Sequence, residues 1–180
     1  LAVVDLDAGH SMDTEVAAAN VDEKGSVSTL ISNKKNRRLD TSYGCAFFPD
    51  FRAKLSGDAF DAPASITLPS SIAGLGVLTY TENVKQLWFA PAGFNRGGLA
   101  GALNPSGVAP ENVNFDLTQR QCDDLYSANI NPIKTFNQQF VVFGQKTLQV
   151  KRSALDRINV RRLGIFIKDF MRETSKGFLF

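Results

Sequence analysis

Along residues 138–171 the alternation of apolar and polar positions changes period. Phe140, Val141, Val142 and Phe143 form a run of aromatic and β-branched residues ended by Gly144, and residues 146–150 then alternate polar and apolar. Both patterns are those of a strand, long or interrupted. Ser153 and Asp156 follow at the spacing of a helix N-cap and its third residue, which predicts that a helix starts there, with the Asp156 carboxylate at the positive end of its dipole. In that helix Leu155, Ile158, Leu163, Phe166, Ile167 and Phe170 make one apolar stripe, expected to face a core. Arg157, Arg161, Lys168 and Arg172 recur on another face, which is either a solvated helix face or a binding surface.

The same reading supplies the other elements. Residues 1–6 open on a buried-strand pattern with no methionine before it, and the expectation is a fragment of a longer chain. Ser11 or Asp13 is placed to cap a helix over 14–20. Residues 22–40 are polar, with the basic cluster Lys34, Lys35, Arg37 and Arg38, and read as a loop. Residues 43–51 read as an aromatic strand interrupted by Pro49. Pro69, Ser70 and Ser71 can open a helix carrying Ile72, Leu75, Val77, Leu78 and Tyr80. Residues 88–98, with three aromatics and three glycines, read as a structured loop that lacks the endings of phosphate-binding motifs. The turn-rich stretch 104–110 predicts a boundary, dividing the chain into 1–112 and 113–180. Thr118 is a candidate cap for a helix to residue 127 with Leu117, Cys122 and Leu125 inward, and residues 133–136 begin a hairpin with the central strand. The predicted class is mixed α/β: sheets flanked by helices in two sub-domains.

At 180 residues and 43% hydrophobic content the chain is long enough to bury a core without disulfides or metals. No apolar run approaches the ~20 residues that cross a bilayer, so no membrane insertion is expected. Cys45 and Cys122 have no metal-ligand spacing and read as buried free thiols. The net charge of +2 conceals a polarity: residues 1–33 carry six acids against Lys24, and residues 134–180 carry ten Lys or Arg against three acids. A chain polarised in this way suits self-association or an acidic partner. Nucleic acid is not expected, because the basic half has no aromatic-interleaved motif and no zinc-finger spacing.

One motif points to catalysis. Asp5, Leu6 and Asp7 end an apolar strand in D-x-D, which resembles the opening of haloacid-dehalogenase-like phosphohydrolases. That resemblance implies Asp5 as nucleophile and Asp7 as general acid beside Mg²⁺. Ala8 and Gly9 depart from that family's glycine and threonine. The other reading of the same residues is a strand followed by a polar turn. His10 is the sole histidine, so no Ser-His or Cys-His relay can draw on another.

A second resemblance covers nearly the whole chain in order. Its pieces are the entry strand 1–5, the SYGCAFFP of 42–49, Pro69-Ser70-Ser71 with Ala73-Gly74, the WFAPAG loop at 88–93, NINPI at 129–133, FGQKTL at 143–148 and INVRRL at 158–163. These resemble the tail sheath proteins of contractile-tailed bacteriophages. Phe143 in place of the family's tryptophan, and Gln145-Lys146 in place of its small-Arg pair, suggest a divergent branch such as that of a large phage. The resemblance implies a non-enzymatic virion protein with no cofactor or metal. It would polymerise helically with copies of itself around the tail tube protein, and its other partners would be baseplate and tail terminator proteins. It would assemble in the host cytoplasm, and on contraction it would drive the tube through the host envelope for genome ejection. Residues 1–112 would be a partial middle domain and 113–180 a partial inner domain, both terminal arms being absent and the fragment therefore monomeric. On this reading Arg157, Arg161, Arg162 and Lys168 are candidates for contacts with a subunit or the tube. Charge reversal at Arg157 and Arg161 is expected to spare folding, whereas Arg162, off the basic stripe, is expected to pair with an acid of its own domain.

Overall fold

The computed structural model describes residues 1–6, 27–55 and 65–178. The predicted helix at 14–20, together with Asp7, His10, Ser11 and Asp13, lies outside them.

Among the described residues, three small sheets and five α-helices build the body. Strand β1 (Ala2–Val3) pairs in parallel with β2 (Gly44–Cys45), so the strand expected at the start of the chain is present. The aromatic stretch around Pro49 forms β2, β3 (Phe47–Phe48) and β4 (Phe51–Leu55), broken where the proline cannot donate to a ladder. β4 is the centre of an antiparallel sheet flanked by β5 (Ser65–Leu68) and β6 (Val108–Val113). The reading of 104–110 as turn residues missed β6, whose Pro110 is tolerated because this strand is an edge. The third sheet has the order β3-β7-β8, with β7 (Asn131–Phe136) parallel to β3 and antiparallel to β8 (Gln139–Val142). The β7–β8 hairpin closes through Asn137 and Gln138, both at positive φ, as a two-residue turn requires to match the strands' twist.

The helices are α1 (Val27–Asn36), α2 (Ser70–Val84), α3 (Leu99–Leu103), α4 (Gln119–Ser127) and α5 (Ile158–Lys176). α1 occupies a stretch read from the sequence as loop: its charged residues hid a short inward face of Val27, Leu30 and Lys34. α4 begins at the expected cap, where the Thr118 hydroxyl accepts from Gln121 N–H and the Gln121 carboxamide accepts from Thr118 N–H at 2.9 Å. α5 starts later than Ser153 implied. Ser153 instead closes a turn, its hydroxyl accepting from Leu155 N–H at 3.2 Å. Residues 156–158 are held extended by Thr147 N–H to Asp156 O and Ile158 N–H to Gln145 O, so helical geometry cannot begin before Ile158.

β3 is the wall between two apolar clusters. Phe47 points into one with Phe51, Val77, Leu99, Ile133, Val142 and Ile158, whereas its neighbours Ala46 and Phe48 point into the other with Leu30, Leu117, Leu125, Ile130 and Leu148. This is the two-residue alternation of a strand with both faces buried. Among the described residues no helix is long and apolar enough to cross a membrane.

Candidate functional site

The short motifs singled out in the sequence meet at one junction. Asn131, wholly buried at the start of β7, donates through Nδ2 to Ala46 O and Lys146 O at 2.9 Å each, and its Oδ1 accepts from Lys146 N–H at 2.6 Å. One side chain thus ties NINPI to the segment before β3 and to FGQKTL. Gly144 is required by this approach: a Cβ there would stand 2.8 Å from Asn131 Oδ1 and 3.1 Å from its Cα. FGQKTL is held in turn by Leu148 N–H to Gly44 O and by the Ile158 N–H to Gln145 O bond at the head of INVRRL. Farther off, a Cβ on Gly74 would lie 2.3 Å from the Phe47 ring, so the helix opened at Ser70 packs directly on β3.

The cationic residues proposed for a surface are mostly engaged within the fold. Arg161 is only 7% exposed, donates to Ser42 Oγ, and lies with its guanidinium carbon 4.1 Å from the Tyr43 ring centroid. The expectation that reversing its charge spares folding does not survive this burial. Arg157 donates to the Tyr126 hydroxyl and remains partly exposed beside Asp156. Lys146 stacks 4.0 Å over the same ring and donates to Tyr126 O at 2.7 Å. Burial, then the neighbouring Arg157 and Arg152, pushes its ammonium pKa down. Arg162 pairs with an acid, Glu82 of α2 at 2.7 Å, but that acid belongs to residues 1–112 and not to its own expected domain 113–180, so the ion pair crosses the expected boundary. Lys168 is exposed on the outer half of α5. There the apolar stripe departs from expectation: Phe166, Ile167, Phe170 and Met171 are all exposed, and Ile158 is the one apolar residue of α5 that is buried.

The loop at 88–98 is structured, as its composition implied. Gly93 sits at φ +80°, its N–H reaches Val142 O at 2.9 Å, and Val142 N–H returns to Gly97 O at 2.8 Å, clamping the loop on β8. Phe94 packs edge-on against Phe136 at 5.1 Å, and Phe136 lies 5.3 Å from Phe143, forming a partly exposed aromatic cluster.

Asp5 is not arranged as a nucleophile. Its carboxylate accepts from Ser71 N–H at 2.9 Å while Asp50 accepts from Ser70 N–H at 2.8 Å, so two acids cap the N-terminus of α2. Among the described residues no group of three His, Cys, Asp or Glu could hold a metal ion. Cys45 and Cys122 are buried free thiols, and burial pushes the Cys45 pKa up to about 12, the opposite of an activated cysteine.

No family model matches the chain. Over 116 residues, 64% of this chain, it is 40% identical to a tail sheath protein of Vibrio phage KVP40 and 37% identical to that of Enterobacteria phage T4. Over that stretch the chain is similar to tail sheath proteins. The chain spans 16% of the length of each of these curated relatives. Its fold agrees with a chain of the anti-feeding prophage baseplate at TM-score 0.63, covering 99% of this chain and 37% of that one at 18% identity. It also agrees with a chain of an extracellular contractile injection system's PVC sheath complex in the contracted state, at TM-score 0.60 and 21% identity, covering 96% of this chain and 47% of that one. Neither relative is an enzyme by name, and the phosphohydrolase reading of Asp5 and Asp7 finds no support among them.

Proposed function

We propose that the chain is part of a contractile tail sheath subunit, a structural protein of the virion tail that assembles helically with its own copies and meets baseplate components. The observation that carries this is the 37–40% identity to two phage tail sheath proteins over most of the chain. The fold likeness to contractile injection machinery, whose sequence identity is far lower, is consistent with it. The finer assignments belong to the same proposal: residues 1–112 and 113–180 as middle and inner sub-domains sharing the wall at β3, contact with the tail tube and terminator, and assembly in the host cytoplasm. So do the candidate contact residues. Arg157, Arg161 and Arg162 are held by intramolecular partners, which leaves Lys168 as the member free to reach a neighbour without disturbing the body. The junction around Asn131 suits this role, since a subunit that changes its packing between two states must itself stay rigid. Electron microscopy of the complete protein tests the reading: helical tubes or rings are expected, whereas a protein that stays unassembled and hydrolyses phosphoesters with Mg²⁺ would overturn it.

A further inference from the structure

The basic cluster at the end of α1 was left unexplained by the fold. Beside it lies a cleft of about 360 Å³ between the end of α1 and the end of α4, walled by Ile31, Leu39, Ala128 and Val150. Val150 is 63% exposed, an unusual position for a valine flanked by polar residues. Lys35 and Arg38 stand on the rim, both exposed, and among the described residues neither forms an ion pair. Lys151 and Arg152, also exposed, follow Val150. Asp40 is the acid of the lining, and its carboxylate is already used, accepting from Val150 N–H at 2.8 Å. Deeper in, Lys34 is only 5% exposed and donates to the carbonyl of Ala128, and among the described residues it forms no ion pair. Burial accordingly holds its ammonium below its ordinary pKa, with Asp40 partly opposing and Lys146 reinforcing the effect.

We propose that this cleft docks an acidic, apolar-bearing segment of another protein chain, its carboxylates meeting Lys35 and Arg38 while a leucine- or valine-like side chain lies against Ile31, Leu39 and Val150. Charge complementarity selects the occupant. Two exposed cations, Lys35 and Arg38, rim an apolar-walled trough whose own acid is engaged, and Lys151 and Arg152 follow its wall residue Val150 in the chain, so an incoming carboxylate gains attraction without displacing a partner. A peptide fits better than a nucleic acid, because the lining offers no aromatic ring on which a base could stack and presents Ile31, Leu39, Ala128 and Val150 as apolar walls. The inference does not depend on the sheath reading, since it concerns one segment binding to one body.

Fluorescence anisotropy with a short labelled peptide of Glu-Glu-Leu repeats tests it, using the chain as it stands. Saturable binding is expected, weakening with added salt and falling about tenfold in K35E/R38E. The same peptide with Gln for Glu should bind far more weakly, and K151E/R152E should reduce binding as well. Thermal melting monitors folding of each variant, and if K35E/R38E fails to fold, K35Q/R38Q takes its place with a smaller loss expected. Absence of binding, equal binding by the Gln peptide, or binding that ignores the rim substitutions would overturn the proposal. Tighter binding of oligothymidylate that is lost in K35E/R38E would overturn it in favour of a nucleic-acid surface.

Discussion

Arg161 shows how a residue's environment reverses the meaning of its charge. In the sequence it belongs to a cationic stripe; in the fold it is stacked on Tyr43 and bonded to Ser42. Its replacement by glutamate buries an unpartnered carboxylate next to an aromatic face, and should cost about 3 kcal/mol in denaturant unfolding. Exposed Lys168→Glu should change stability by no more than about 0.5 kcal/mol in the same assay. Cys45 carries a pH signature of its own. Its ordinary pKa of 9.0 is raised to about 12 in the fold, so between these values the unfolded chain releases a proton that the folded chain retains. Stability contributed by the buried thiol is therefore complete below pH 9 and declines as pH rises toward 12, by up to ~1.4 kcal/mol per unit. Lys34 and Lys146, whose folded pKa values are lowered, act in the opposite sense as pH rises toward 10.5, so the bare profile mixes the effects. Comparison with Cys45→Ala isolates the thiol: alkaline unfolding curves of the variant should fall less steeply than those of the parent.

Among the elements, α5 is divided between a tethered start and a projecting end. Ile158 is fully buried and Arg161 and Arg162 tie the first turns to Ser42 and Glu82, while Phe170 is 63% exposed. Ile158→Ala should cost about 2–5 kcal/mol, as expected for deletion in a packed core, whereas Phe170→Ala should stay within about 0.5 kcal/mol. Amides beyond Asp169 should also exchange with solvent faster than those of residues 161–165, because no packing protects them. The sequence showed this helix, its stripe and its polar face, since periodicity is a local property. It could not show that the stripe is fully buried only at Ile158, is half-covered through Leu163 and reaches Trp88 with Phe166, and is exposed beyond, which depends on where the chain runs next. Similarly the α4 capping box was legible because Thr118 and Gln121 are three residues apart, whereas α1 was concealed by the charges around its narrow apolar face. The junction at Asn131 was visible only as separate motif fragments: its partners Ala46 and Lys146 are brought together by the parallel β3–β7 pairing, which no sequence period encodes. Asn131→Leu should cost about 2–4 kcal/mol, since it leaves the N–H and carbonyl of Lys146 without their partner, while Ala46 O keeps the Asn131 backbone N–H.

For the molecule as a whole, the two apolar clusters are separate in composition but joined through a strand that belongs to both. Phe47 and Phe48 are neighbours in the chain and serve opposite clusters, and β3 pairs with β7 from beyond residue 112. The first cluster draws Ile133, Val142 and Ile158 from the later part of the chain to pack with Phe51, Val77 and Leu99 from the earlier part. A sub-domain division near residue 112 therefore cannot be a division into independent folding units. Separating the chain there would strip β3 of its ladder partner and expose both faces of the wall, a loss larger than the usual margin of about 5–15 kcal/mol that holds a domain folded. The intact chain should unfold in a single transition, reported alike by far-ultraviolet circular dichroism and by fluorescence of Trp88, its only tryptophan. Residues 1–112 and 113–180 produced separately should each lack a cooperative melt. A cooperative melt by either half alone, or two resolved transitions in the intact chain, would show that β3 is a seam and not a wall. A single transition is what the sheath reading proposed above requires of a body that moves as one unit when subunits change their packing.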